Sequence, residues 1–203
     1  MAKSSRGGKR VAGGSSSRRF QADHYDAWNP PPSVQQQLAD ANNIPIDDAY
    51  KQVSALEHYS GIDYGDIRDA FYENKTDSPY YKDALELEKF IEQSPKWKGG
   101  ELYRGVRLSQ YEVDSLQVGG RIDMKGMSSW SSQKSVADNF AYPTSTRQAV
   151  VFKTAGTKKG ASITHLSTFG KAEYEVLVSG KATWTVKKMY KEYDKLIVEV
   201  KED

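Results

Sequence analysis

At 203 residues, 37% hydrophobic and 11% aromatic, the chain is long enough for one full core and too short for two, so a single folded domain is expected. The absence of cysteine excludes disulfides and thiolate metal sites, and the three histidines (His24, His58 and His165) are scattered without ligand spacing, so no metal is expected. The net charge of +2 conceals a basic N-terminus attached to an acidic remainder.

Residues 1–19, MAKSSRGGKRVAGGSSSRR, carry Lys3, Arg6, Lys9, Arg10, Arg18 and Arg19 and no acid, with glycine and serine filling the gaps. Nothing there can bury an apolar face, so residues 1–30 read as a disordered basic arm and linker ahead of a domain spanning 31–203. Such an arm suits contact with RNA, DNA or an acidic partner by counterion release. It suits a solubilising tail or linker equally well. No run approaches the roughly 20 apolar residues of a membrane span, and no signal-peptide core is present, so a soluble protein without Sec-type export is expected.

The NPPPS at 29–33 marks an extended boundary, because proline fixes its own backbone and pushes its predecessor out of the helical region. Helices are predicted after it. Ala49, Val53 and Leu56 give a helical spacing over 46–59, with Gly61 as the stop. Tyr64, Ile67 and Phe71 give a second short helix. Ser78 and Pro79 form an N-cap and first-turn pair for a third, carried by Ala84, Leu87 and Ile91 up to Pro95.

From residue 101 the period changes. Strands are predicted at 101–107, 148–154, 161–166, 173–179, 182–190 and 195–201, separated by glycine-rich turns, with one helix at 132–141. Helices first and strands later indicate an α+β fold rather than a doubly wound parallel sheet. There is no internal repeat and no GxGxxG after a strand.

Three segments of the strand half carry chemistry. In LYRGV, Arg104 sits in an apolar strand and is followed by Gly105. A buried guanidinium needs an anionic partner such as a carboxylate or phosphate, and glycine allows close approach of backbone or ligand; an outward-facing arginine is the plainer alternative. In KGMSSWSSQKSVADNFA, four serines flank Trp130 and lead into a helix, bringing hydroxyls and helix-end amides together. In KAEYEVLVSGK, strand alternation would put Glu173 and Glu175 on one face and Tyr174, Val176 and Val178 on the other. Taken alone, that pair is an ordinary solvated face.

In this order, the arginine strand, the Ser-x-Ser segment and the Glu-x-Glu strand resemble the R-S-E class of mono-ADP-ribosyltransferases, the family of many exotoxins and several phage-encoded enzymes. The helical HYSGIDYGDIRDAF is similar to the family's Tyr-Ser/Thr-Gly segment, so the likeness spans about residues 45–201. It implies a split mixed or antiparallel β core with a helical N-terminal layer. It also implies NAD as co-substrate, with release of nicotinamide and transfer of ADP-ribose to an acceptor.

By resemblance, Glu175 is the catalytic glutamate that holds the ribosyl cation, and Arg104, beside Gly105, grips the NAD phosphates. Ser129 orients the glutamate and the nicotinamide ribose, and Ser131 supports the strand and belongs to the NAD-binding set. Glu173 occupies the position that accompanies arginine modification, and a guanidinium does need a carboxylate to align it and take its proton. Trp130 replaces the usual central threonine and alternates away from both serines, which also fits a core residue. Met127 stands where phenylalanine is common. Phe169, before the glutamates, is either an acceptor contact or turn packing. Alternatives at this stage are an NAD glycohydrolase and a catalytically idle binding or virion-associated module. The acceptor, protein or RNA, stays open, as does the setting, since phage-encoded host modifier and delivered toxin domain both fit.

Overall fold

A computed structural model describes residues 32–166 and 173–203; the basic arm, His24 and Phe169 lie outside the described residues. Four helices come first: α1 (Pro32–Asn42), α2 (Ile46–Ser60), α3 (Tyr64–Tyr72) and α4 (Pro79–Gln93). The predicted stripes of α2 and α4 are the buried ones. Ala49, Val53 and Leu56 join Ala84, Leu87 and Ile91 in one core, to which α1 adds Leu38 and Ala39. Helix α1 has no such stripe in the sequence, PSVQQQLADAN being mostly polar, and only Pro32 in its first turn announces it. Ser78 stands at the N-cap of α4 with proline following, although its side chain makes no capping hydrogen bond.

The second half runs β1 (Leu102–Ser109), α5 (Gln110–Asp114), β2 (Arg121–Ile122), β3 (Ser128–Ser131), α6 (Lys134–Phe140), β4 (Arg147–Thr154), β5 (Gly160–Ser162), β6 (Glu175–Val178), β7 (Trp184–Glu192) and β8 (Lys195–Glu202). The strands form one mixed sheet in the order β2-β7-β8-β4-β1-β3-β6-β5, antiparallel except for β4 beside β8. The fold is α+β, as the sequence order implied. The apolar run of β4 has a simple cause. It lies between β1 and β8 with both faces covered, Val150 and Phe152 on one side and Ala149 and Val151 on the other.

The sheet is split at its centre. β1 pairs with β4 over eight registered positions but meets β3 at a single pair, Tyr103↔Ser131. Beyond Tyr103 the two strands diverge, and the β1 edge facing β3 opens into a cleft. Trp130 of β3 and Trp184 of β7 pack together at 5.0 Å between ring centres, both almost wholly buried. Trp130 is therefore core, and Met127 is buried in the helical cluster. Helix α6 closes against β1 at Gly105, where a Cβ would lie 1.8 Å from the Ala137 carbonyl oxygen. That contact is what requires glycine there.

Two expectations are corrected. The strand predicted from residue 173 starts at Glu175, because Tyr174 adopts φ 48°, a left-handed conformation that breaks the alternation. Glu173 thus precedes the strand instead of sharing its face with Glu175. The strand predicted at 161–166 is the short β5, and Ile163 turns into the core instead.

Candidate active site

The cleft at the split has a volume of about 1090 Å³, and Arg104, Gly105, Ser129, Ser131, Glu173 and Glu175 all line it. Residues more than 70 positions apart in the sequence therefore meet at one surface. Each is delivered by a different local cause.

Arg104 leaves β1 where the β3 edge departs, and its Nη1 donates to the Ser129 carbonyl oxygen at 2.7 Å. Burial, followed by the nearby charge of Arg68, brings its guanidinium down to about 10. It stays protonated at neutral pH but is electrostatically strained. Ser129 Oγ donates to the Tyr59 hydroxyl at 3.3 Å. Tyr59 is 3% exposed at the end of α2, and burial raises its phenol. The serine strand is thereby fixed to the helical layer.

Glu175 opens β6 opposite Ser131 and is buried, 6% exposed. Glu173 is half-buried, and its carboxyl is raised, first by burial and then by the charge of Glu175. The carboxylates are therefore within electrostatic reach of one another even though the strand does not align them. Ser131 Oγ donates to the Glu173 carbonyl oxygen at 2.6 Å and accepts from the Gln133 N–H at 3.0 Å. Its only donor is thus committed to the main chain.

Sequence reasoning missed Arg68. It sits on α3, where helical periodicity marks it as one more solvated charge. Its Nη2 donates to the Met124 carbonyl oxygen at 2.8 Å, and its guanidinium lies 6.0 Å from the centre of the Tyr64 ring. Its Nε is buried with no hydrogen-bond partner among the described residues. Two guanidiniums, on elements 36 residues apart in the chain, thus face one cleft and repel each other. A ligand with two negative charges would satisfy both and occupy the orphaned donor.

No group of three or more potential metal-ligating side chains occurs among the described residues, and no described helix is long and apolar enough to cross a membrane.

No family model matches the chain, and no curated protein matches it by sequence. Solved structures do match. The Vis toxin, an ADP-ribosyltransferase from Vibrio splendidus, superposes with a TM-score of 0.63 at 18% identity over 86% of this chain and 87% of that one. Exoenzyme S from Pseudomonas aeruginosa, solved with human 14-3-3 protein beta and carba-NAD, gives 0.59 at 19% identity over 81% and 88%. The Clostridium limosum C3 exoenzyme gives 0.61 at 16% identity over 84% and 92%. The chain therefore has the mono-ADP-ribosyltransferase fold. Vis has also been solved in complex with agmatine.

Proposed function

We propose that the protein transfers ADP-ribose from NAD to arginine side chains of target proteins and releases nicotinamide. The observation that carries this reading is the meeting of two guanidiniums, Arg104 and Arg68, with two carboxylates, Glu175 and Glu173, in one cleft of this fold. The donor set suits NAD. A pyrophosphate would answer both guanidiniums and the unpartnered Arg68 Nε. The complexes of Exoenzyme S with carba-NAD and of Vis with agmatine support a dinucleotide donor and a guanidinium acceptor.

NAD supplies the bond that breaks, the nicotinamide glycosidic bond, whose electron pair leaves with the nicotinamide. Glu175, buried in the cleft, stabilises with its carboxylate the positive charge that develops at the ribosyl carbon, as carboxylates do in glycoside hydrolysis. Glu173 aligns the incoming guanidinium and accepts the proton that its nitrogen loses as the new C–N bond forms. Arg104 and Arg68 fix the diphosphate, and the Tyr59–Ser129 hydrogen bond keeps the serine strand against the helical layer.

The test is incubation of labelled NAD and an arginine-bearing target with wild type, Glu175→Ala and Glu173→Gln. Wild type should label the target, Glu175→Ala should lose both labelling and nicotinamide release, and Glu173→Gln should keep release while losing transfer. Equal labelling by all three would overturn the assignment. Nicotinamide release by wild type without transfer to any arginine would make the protein a glycohydrolase.

A further inference from the structure

We propose that Ser131 is a positioning residue that sets the partition between transfer to arginine and hydrolysis, by holding the main chain of Glu173. The inference rests on the function proposed above. It concerns a side chain at the cleft wall whose hydroxyl is committed to the main chain on both sides.

β3 and β6 pair in register from Ser128↔Val178 to Ser131↔Glu175. One residue further on, the Ser132 N–H still donates to the Tyr174 carbonyl oxygen at 3.2 Å. The ladder then ends, because Tyr174 turns left-handed at φ 48° and Gln133 becomes the N-cap of α6. Two main-chain groups remain at the frayed end, the Glu173 carbonyl and the Gln133 N–H. The Ser131 hydroxyl serves both, at 2.6 Å and 3.0 Å, so one side chain takes over from the missing rung.

The two carboxylates consequently have different anchors. Glu175 is fixed by the β3–β6 ladder, which does not involve the Ser131 hydroxyl. Glu173, whose side chain lines the cleft, lies outside the ladder and is held through its carbonyl. Ser131 is 4% exposed, so water does not readily replace its hydroxyl. Removal of that hydroxyl therefore releases the acceptor-side carboxylate while the ribosyl-side carboxylate keeps its rung. Hydrolysis needs only the second, whereas transfer needs both.

The experiment compares wild type, Ser131→Ala and Ser131→Thr, with Glu173→Gln as the benchmark. It measures nicotinamide release, ADP-ribosyl-agmatine formation and hydrogen exchange at the Gln133 amide. In Ser131→Ala the ratio of transfer to hydrolysis should fall about tenfold or more, in the direction of Glu173→Gln, since a small misplacement of a reacting group has effects of that order. The Gln133 amide should exchange faster in the same variant. Ser131→Thr, which keeps the hydroxyl, should restore both readouts. If Ser131→Ala does not fold, Ser131→Cys, with a weaker and longer donor, should still lower the ratio. An unchanged ratio, or unchanged Gln133 exchange, overturns the proposal. A wild type that neither releases nicotinamide nor modifies agmatine overturns the function above and this inference with it, whereas active wild type with an unaltered ratio overturns this inference alone.

Discussion

Glu173 has a titration behaviour that follows from its surroundings. Burial and the charge of Glu175 both favour its neutral form, so its carboxyl stays protonated above the ordinary value of 4.5. As the base of the proposed transfer it would work only when ionised. Transfer to arginine should therefore rise with pH through a midpoint above 4.5, and the ratio of transfer to nicotinamide release should rise with it. In Glu173→Gln that ratio should be low and independent of pH. Parallel measurement of both products from about pH 4 to pH 8, which brackets the ordinary carboxyl value, checks this, and a flat wild-type ratio across it would exclude Glu173 as the proton acceptor. The arginine and serine of the site were legible in the sequence because each lies in a motif of its own strand. Arg68 was not, since nothing in one helix's periodicity says that the sheet opposite is split. The separation of Glu173 from Glu175 was hidden for a related reason: Tyr174 is left-handed without the glycine or asparagine that usually signals it.

At the level of elements, what the sequence disclosed followed the clarity of the apolar pattern: the 11-residue α1, mostly polar, had none, whereas the seven-residue α6 was predicted at 132–141. Strands β1, β4, β7 and β8, each at least eight residues long, were predicted within a few residues, as were α2 and α4. The two-residue β2 and five-residue α5 leave too short a pattern for periodicity to register. Two predictions belong to this scale. Replacing Gly105 by alanine would force α6 off β1, because the added Cβ meets the Ala137 carbonyl oxygen and also lies 2.9 Å from the Ala141 nitrogen. Destabilisation of about 2 to 3 kcal/mol is expected, read by denaturant titration. On α2, Glu57 is pushed up to about 7 by burial, against a smaller opposing effect of His58. A carboxyl raised on folding stabilises the protein while protonated in both states, and that contribution is lost as pH rises from about 4.5 through 7. Glu57→Gln should therefore leave stability unchanged near pH 4 and raise it by about 1 kcal/mol at pH 8, the full shift being reduced by solvent contact. Equal effects at both pH values would show that burial of the charge is not the cause.

At the scale of the whole molecule, the described residues form two strand groups and a helical layer that converge on one opening. The larger group, β2-β7-β8-β4-β1, carries Arg104, the smaller, β3-β6-β5, carries Ser129 and Glu175, and the helical layer carries Tyr59 and Arg68. Among the described residues, one registered pair joins the two strand groups, with the Trp130–Trp184 contact and the Arg104–Ser129 hydrogen bond beside it. A dinucleotide seated in the cleft would touch all three parts, so binding should stabilise the assembly as a unit. A ligand present at 100 times its Kd adds about 2.7 kcal/mol if it binds only the native state. For a domain of this size, that corresponds to a rise in Tm of about 5 to 11 °C. Carba-NAD, the analogue bound in the Exoenzyme S complex, is a suitable probe. Arg104→Ala and Arg68→Ala should each lose most of the rise, because each removes one of the two cations that line the cleft and, in the proposed function, hold the diphosphate. Loss in the Arg104 variant alone would leave Arg68 as a structural residue that ties α3 to the Met124 carbonyl. A wild type whose Tm ignores the analogue would separate fold from function altogether, leaving an ADP-ribosyltransferase fold with an idle cleft.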